Sequence, residues 1–118
     1  MRLLLPAIIF LFSVACHAAD PIGSLVQSLS EQKLWQNGLF PAITLSASAT
    51  PRQVAAECLR NARIDQYNMG EVREVIIPGA SADKYSAVLV DAAPGQKIVL
   101  LQHLGPGKGW WSRIYNAK

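Results

Sequence analysis

The sequence predicts an α+β domain, with two helices packed on one face of a C-terminal antiparallel sheet of three to four strands. Three observations carry this prediction. Apolar residues recur at helical spacing between residues 22 and 62, the period changes to two from Val72 onward, and Gly- and Pro-containing breaks cut that second part into short runs. The 118-residue chain has room for one domain. Residues 20–118 can bury roughly two-thirds of their unfolded surface, enough for a single core without a metal or a disulfide.

Residues 1–19 read as a separate unit, a secretory signal peptide. Arg2, the 13-residue apolar segment 3–15 and the small residues Ala18 and Ala19 follow the order of a bacterial-type export signal. Thirteen residues are too few to span a bilayer, which needs about 20, so no transmembrane segment is expected. Two processing routes are open. Cleavage after Ala18 or Ala19 frees a soluble protein beginning near Asp20. Alternatively, Ser13-Val14-Ala15-Cys16 resembles a lipobox, departing from it at Ser13 where Leu is usual, and implies a lipid anchor on Cys16. Both routes predict a periplasmic, secreted or envelope-anchored protein.

In the domain, Asp20-Pro21 is a cap followed by a first-turn proline, and Ile22, Leu25, Val26 and Leu29 form the stripe of a first helix running to about Gln36. Asn37-Gly38 then ends it, with Leu34 and Trp35 off the stripe. Residues 41–46 suit a short edge strand. Thr50-Pro51-Arg52-Gln53 is the sharpest local signal, with a Thr cap, Pro at the first helical position and Gln placed to close a capping box. Val54, Ala55, Cys58, Leu59 and Ala62 form the second helix's stripe, and their small size lets the helix lie close to whatever it covers. Asn68-Met69-Gly70 reads as the end of that segment. Extended runs follow at residues 72–77, 85–91, 97–104 and 110–115, separated by Pro94-Gly95 and by Gly105-Pro106-Gly107-Lys108-Gly109, and the last three read as a meander.

Symmetric turns would set Val90 against Val99, Val88 against Leu101 and His103 against Trp111. One face then carries Val88, Val90, Val99, Leu101, His103, Trp111, Arg113 and Tyr115; the other carries Leu89, Leu100, Leu104, Trp110 and Ile114 and is expected to form the helix-covered core. Both faces are substantially apolar, so the sheet is either covered twice or uses its second face to bind. Trp111, Arg113 and Tyr115 alternate on one strand, with the guanidinium between two rings. That row, with His103, is the candidate partner surface, because Trp, Tyr and Arg concentrate binding energy at interfaces. The competing reading is ordinary cross-strand packing.

The helix-then-meander order resembles cystatin-like and NTF2-like domains, and residues 99–115 are similar to the last hairpin of small exported NTF2-like proteins. The resemblance has no diagnostic motif and implies a fold, not a function.

The chemistry available is sparse. Without residues 1–19, Cys58 is the single cysteine, so no intramolecular disulfide is expected, and its helix-stripe setting predicts a buried, inert thiol. His103 lies 45 residues from Cys58, which gives neither a clustered metal set nor a nucleophile-elbow spacing. Lys108 precedes Gly109 rather than Ser or Thr, so the glycine connector is no phosphate loop. No catalytic residue, metal or cofactor is assigned. The formal charge of +3 drops to +2 without Arg2, with acidic residues interspersed, a weak basis for nucleic-acid binding. The expected role is a non-catalytic protein-binding module of the bacterial envelope, of inhibitor, immunity-type or assembly-accessory kind, acting on another envelope protein or a homodimer partner. A small apolar or lipid ligand held between helix and sheet is the alternative, and a Cys58-dependent enzyme the third reading.

Overall fold

The computed structural model describes residues 20–33, 43, 45–46, 48–80 and 84–117. The signal segment 1–19 with Cys16, the helix end predicted at Asn37-Gly38 and half of the strand predicted at 41–46 lie outside the described residues. The fold is α+β: helix α1 (Pro21–Gln32), helix α2 (Pro51–Asn61), then strands β1 (Tyr67–Val75), β2 (Tyr85–Ala92), β3 (Gln96–His103) and β4 (Trp110–Asn116). The strands form one antiparallel sheet in sequence order, so the meander predicted for three runs extends to four.

Both helix starts follow from their caps. The Asp20 carboxylate accepts from Gly23 N (3.1 Å) ahead of Pro21, and Thr50 and Gln53 close the capping box around Pro51. The ends differ from expectation. Helix α1 stops at Gln32, where Lys33 turns left-handed (φ 51°), four residues short of the predicted Gln36. Helix α2 stops at Asn61, with Ala62 as an exposed cap rather than part of the buried stripe. Asn68-Met69-Gly70 is not a helix terminator. These residues lie in β1, which begins at Tyr67, with Asn68 and Met69 paired to β2.

The two helices share the sheet, one on each side, instead of both lying on a single face. Helix α2 sets Val54, Ala55, Cys58 and Leu59 against Val88, Val90, Val99, Leu101 and Trp110. Helix α1 sets Ile22 and Leu29 against Val75, Tyr85, Ala87, Ile98 and Leu100. Successive strand residues point to opposite faces, so these two clusters lie on opposite sides of the sheet. Residues 98–101 of the inner strand β3 are consequently all buried. The sequence's two apolar faces thus correspond to a sheet covered twice.

The turns decide which residues share a face. Between β2 and β3 the register sets Val88 against Val99, two residues from the predicted pairing, which leaves the faces unchanged. Between β3 and β4, Gly109 O accepts from Leu104 N (2.9 Å) and Gly105 O from Lys108 N (3.1 Å), so four residues form the loop, not five. Gly105 and Gly107 supply the positive φ values (120° and 75°) it requires. His103 therefore faces Trp110 rather than Trp111. This one-residue slip turns every β4 side chain over.

Candidate functional site

Trp111, Arg113 and Tyr115 share one side of β4, as predicted, but it is the α1 side, alongside Ile98 and Leu100. Trp110 and Ile114, expected to pack with Leu100, join the α2 side instead. His103 is exposed and separated from the other three by the sheet, with its ring edge-on to Trp110 at 4.8 Å. The structure therefore brings together three of the four candidate surface residues.

These three are half-buried. The Trp111 ring meets Tyr85 in a T-shaped arrangement (6.0 Å, 72°), and the Arg113 guanidinium lies 5.0 Å from the centre of the Tyr115 ring. Burial pushes the Tyr115 phenol above its ordinary pKa, while the Arg113 charge pulls the other way. Helix α1 shields part of the row. Its start is fastened by Asp20, whose carboxylate accepts from Arg73 Nη2 on β1 (3.0 Å) as well as from the helix backbone. The Arg73 bond, then the Gly23 N–H, hold Asp20 below the ordinary aspartate range. Arg73 is gripped from the other side by Glu71 (Nε to Oε1, 2.9 Å). Periodicity shows nothing of this clasp, since Arg73 lies 53 residues from Asp20.

On the α2 side, Cys58 is buried, as its place in the helix stripe predicts. Burial raises its thiol pKa, and a hydrogen bond with Ser112 offsets this in part. A nucleophilic cysteine needs the opposite, a stabilised and accessible thiolate. Ser112 is the one buried polar residue among those described. Trp110 is 8% exposed, and its indole N–H has no hydrogen-bond partner among the described residues, so packing holds this ring in place.

A cleft between α1 and the end of β4, lined by Ser24, Leu25, Ser28 and Asn116, encloses about 50 Å³. That is room for a water or two, against the several hundred Å³ of typical small-ligand pockets. A wider groove of about 550 Å³ beside α2, lined by Gln53, Glu57, Arg60, Ile64, Asp65 and Tyr67 among others, is open to solvent and only about half polar. Among the described residues no three His, Cys, Asp or Glu side chains converge on a possible metal position, and no helix is long and apolar enough to cross a membrane.

Compared with protein-family models, with curated proteins and with solved structures, the chain has no significant match.

Proposed function

We propose that this chain is a non-catalytic protein-binding module exported to the bacterial envelope, and that its contact surface is the β4 row Trp111, Arg113 and Tyr115. The observation that carries the reading is the pre-ordered, half-exposed arrangement of that row on an edge strand, with the cation seated on one ring. Side chains already fixed in the free protein lose less freedom on binding, and these residue types dominate interface energetics. Export rests on residues 1–19 and their order of charge, apolar run and small residues. The small size of the α1 cleft weighs against an apolar or lipid ligand, and the buried, raised-pKa Cys58 against thiol chemistry.

Affinity capture from periplasm with the exported product, read by mass spectrometry for proteins and extractable lipid, tests the reading. One partner protein is expected, lost with Arg113→Glu while the variant remains folded, its melting temperature lowered by the lost Tyr115 contact. Recovery of lipid in its place supports the ligand alternative, and capture indifferent to Arg113→Glu and Trp111→Ala removes this surface from consideration. Intact mass of the same product decides processing: a start at Ala19 or Asp20 fits soluble release, whereas a diacylglyceryl group on Cys16 means a membrane tether.

A further inference from the structure

The sheet has two edges, β1 and β4. The outer side of β4 is engaged at Trp110, which exchanges two backbone hydrogen bonds of 2.9 Å with Ile43. Among the described residues no strand or bridge pairs with the outer side of β1, although β1 is the longest strand, at nine residues. Among the described residues, two of the three exposed large apolar side chains, Val72 (37%) and Ile76 (62%), lie on or beside it. A long unpaired edge presents a template for another strand.

The ladder shows which groups it presents. Leu104 N bonds Gly109 O and Ala117 N bonds Gln96 O, so the even-numbered residues of β3 bond to β4 and the odd-numbered ones to β2. Alternation then commits Ala87 and Tyr85 of β2 to Arg73 and Val75 of β1. The N–H and C=O of Val72 and Glu74 are left pointing outward.

Charged residues usually guard an edge against pairing, but this set is self-complementary in one register. If a second copy runs antiparallel about a two-fold axis at Val72, Val72 meets the partner's Val72 on the α2 side. Glu71 and Arg73, which share the α1 side and bond each other, meet the partner's Arg73 and the partner's Glu71. A parallel pairing in register, or an antiparallel one shifted by two residues, brings like charges together or leaves them unmatched. The register also places Glu74 opposite the partner's Gly70, whose carbonyl accepts from the exposed Arg52 (Nη2, 2.7 Å); ladder extension exchanges that side-chain bond for a backbone one.

We infer that two copies of this chain associate through β1, joining their sheets across a two-fold axis at Val72 with crossed Glu71–Arg73 pairs. This surface is separate from the β4 row, so variants at Trp111 and Arg113 leave it intact and the two readings fail independently. Sedimentation equilibrium of the exported product, from micromolar to about millimolar concentration, should show a reversible dimer weakened by salt. Glu71→Arg and Arg73→Glu should each be monomeric where the wild type dimerises, and their equimolar mixture should regain the dimer, because each acidic strand then faces a basic one. Val72→Lys, which leaves the Asp20 contact untouched, should be monomeric with its fold intact and serves if Arg73→Glu is unstable. A wild type monomeric throughout the range, a Val72→Lys protein that dimerises like the wild type, or a mixture of folded charge variants that stays monomeric would each overturn the inference.

Discussion

The two faces of the sheet are covered by helices of nearly equal length, α1 with 12 residues and α2 with 11, yet they are built differently. Helix α2 brings small side chains, Ala55 and Cys58 among them, and its backbone comes close to all four strands. Helix α1 stands farther from the strand backbones, because there the sheet supplies the bulk through Tyr85, Trp111 and Tyr115. The difference teaches where a binding surface can arise. A close helix with small side chains seals its face, whereas aromatic rings beneath a more distant helix leave half-buried edges at its margin.

Substitutions on the two faces can break or sharpen this contrast. The largest effect is expected from Trp110→Ala, which empties a sealed site and should cost about 3–5 kcal/mol, read as a lower denaturant midpoint. Ile22→Ala, in the best-buried position of α1, should cost about 2–4 kcal/mol. Trp111→Ala removes a half-buried ring and its Tyr85 contact, and about 1–2 kcal/mol is expected. If Trp111→Ala proves as damaging as Trp110→Ala, the α1 face is as tightly sealed as the other and the contrast fails.

The same contrast shows what could be read from residues alone. Helix α2 was fully legible at its start, because Thr50, Pro51 and Gln53 act on one another within a single turn. Strands β2, β3 and β4 were legible as runs, since alternation is local too, whereas the first five residues of β1, Tyr67 to Glu71, were not, because the irregularity beside Gly70 breaks the alternation there. Which face Trp110 and Trp111 occupy was not, because it depends on whether Gly109 belongs to the loop or the ladder, and a five-residue stretch with three glycines fits either. The candidate row Trp111, Arg113 and Tyr115 survived that uncertainty, since its members turn over together. His103 does not stay with them, because it sits on the other strand of that loop, opposite Trp110. The placement of α1 on the opposite face was likewise beyond reach: its stripe fits either side of a sheet that is apolar on both.

Two smaller effects complete the comparison. Cys58→Ala should cost about 1 kcal/mol through lost packing and leave partner binding unchanged, and the native thiol should react with a labelling reagent only as fast as the protein opens. Binding lost without loss of stability would revive a role for the thiol. On the α1 side, Asp20→Asn keeps a capping side chain but removes the charge that Arg73 holds. Asp20 has its pKa lowered on folding, so its contribution is complete above the unfolded value of about 4 and fades as pH falls through the lower folded value. The melting-temperature gap between wild type and Asp20→Asn should therefore be constant from neutral pH down to about 4 and close below it. A gap that persists at the acid end would mean the clasp does not depend on charge.

Strand β1 carries an irregularity between Met69 and Val72, where the two residues Gly70 and Glu71 occupy the space opposite Leu89. Under strict alternation from Met69, Arg73 would point toward α2; the extra residue turns it toward α1, where Asp20 is. Odd and even, rather than polar and apolar, thus decide whether the first helix can be clasped. Loss of a single codon here would disturb the protein more than most amino-acid exchanges at the same exposed positions, because it would reverse every side chain on one flank of the gap. Across variants of this gene, Gly70 is expected to change identity freely and Glu71, which holds Arg73, to keep its charge; both should be deleted rarely, and a deletion that does survive should come with a second, compensating insertion before Arg73.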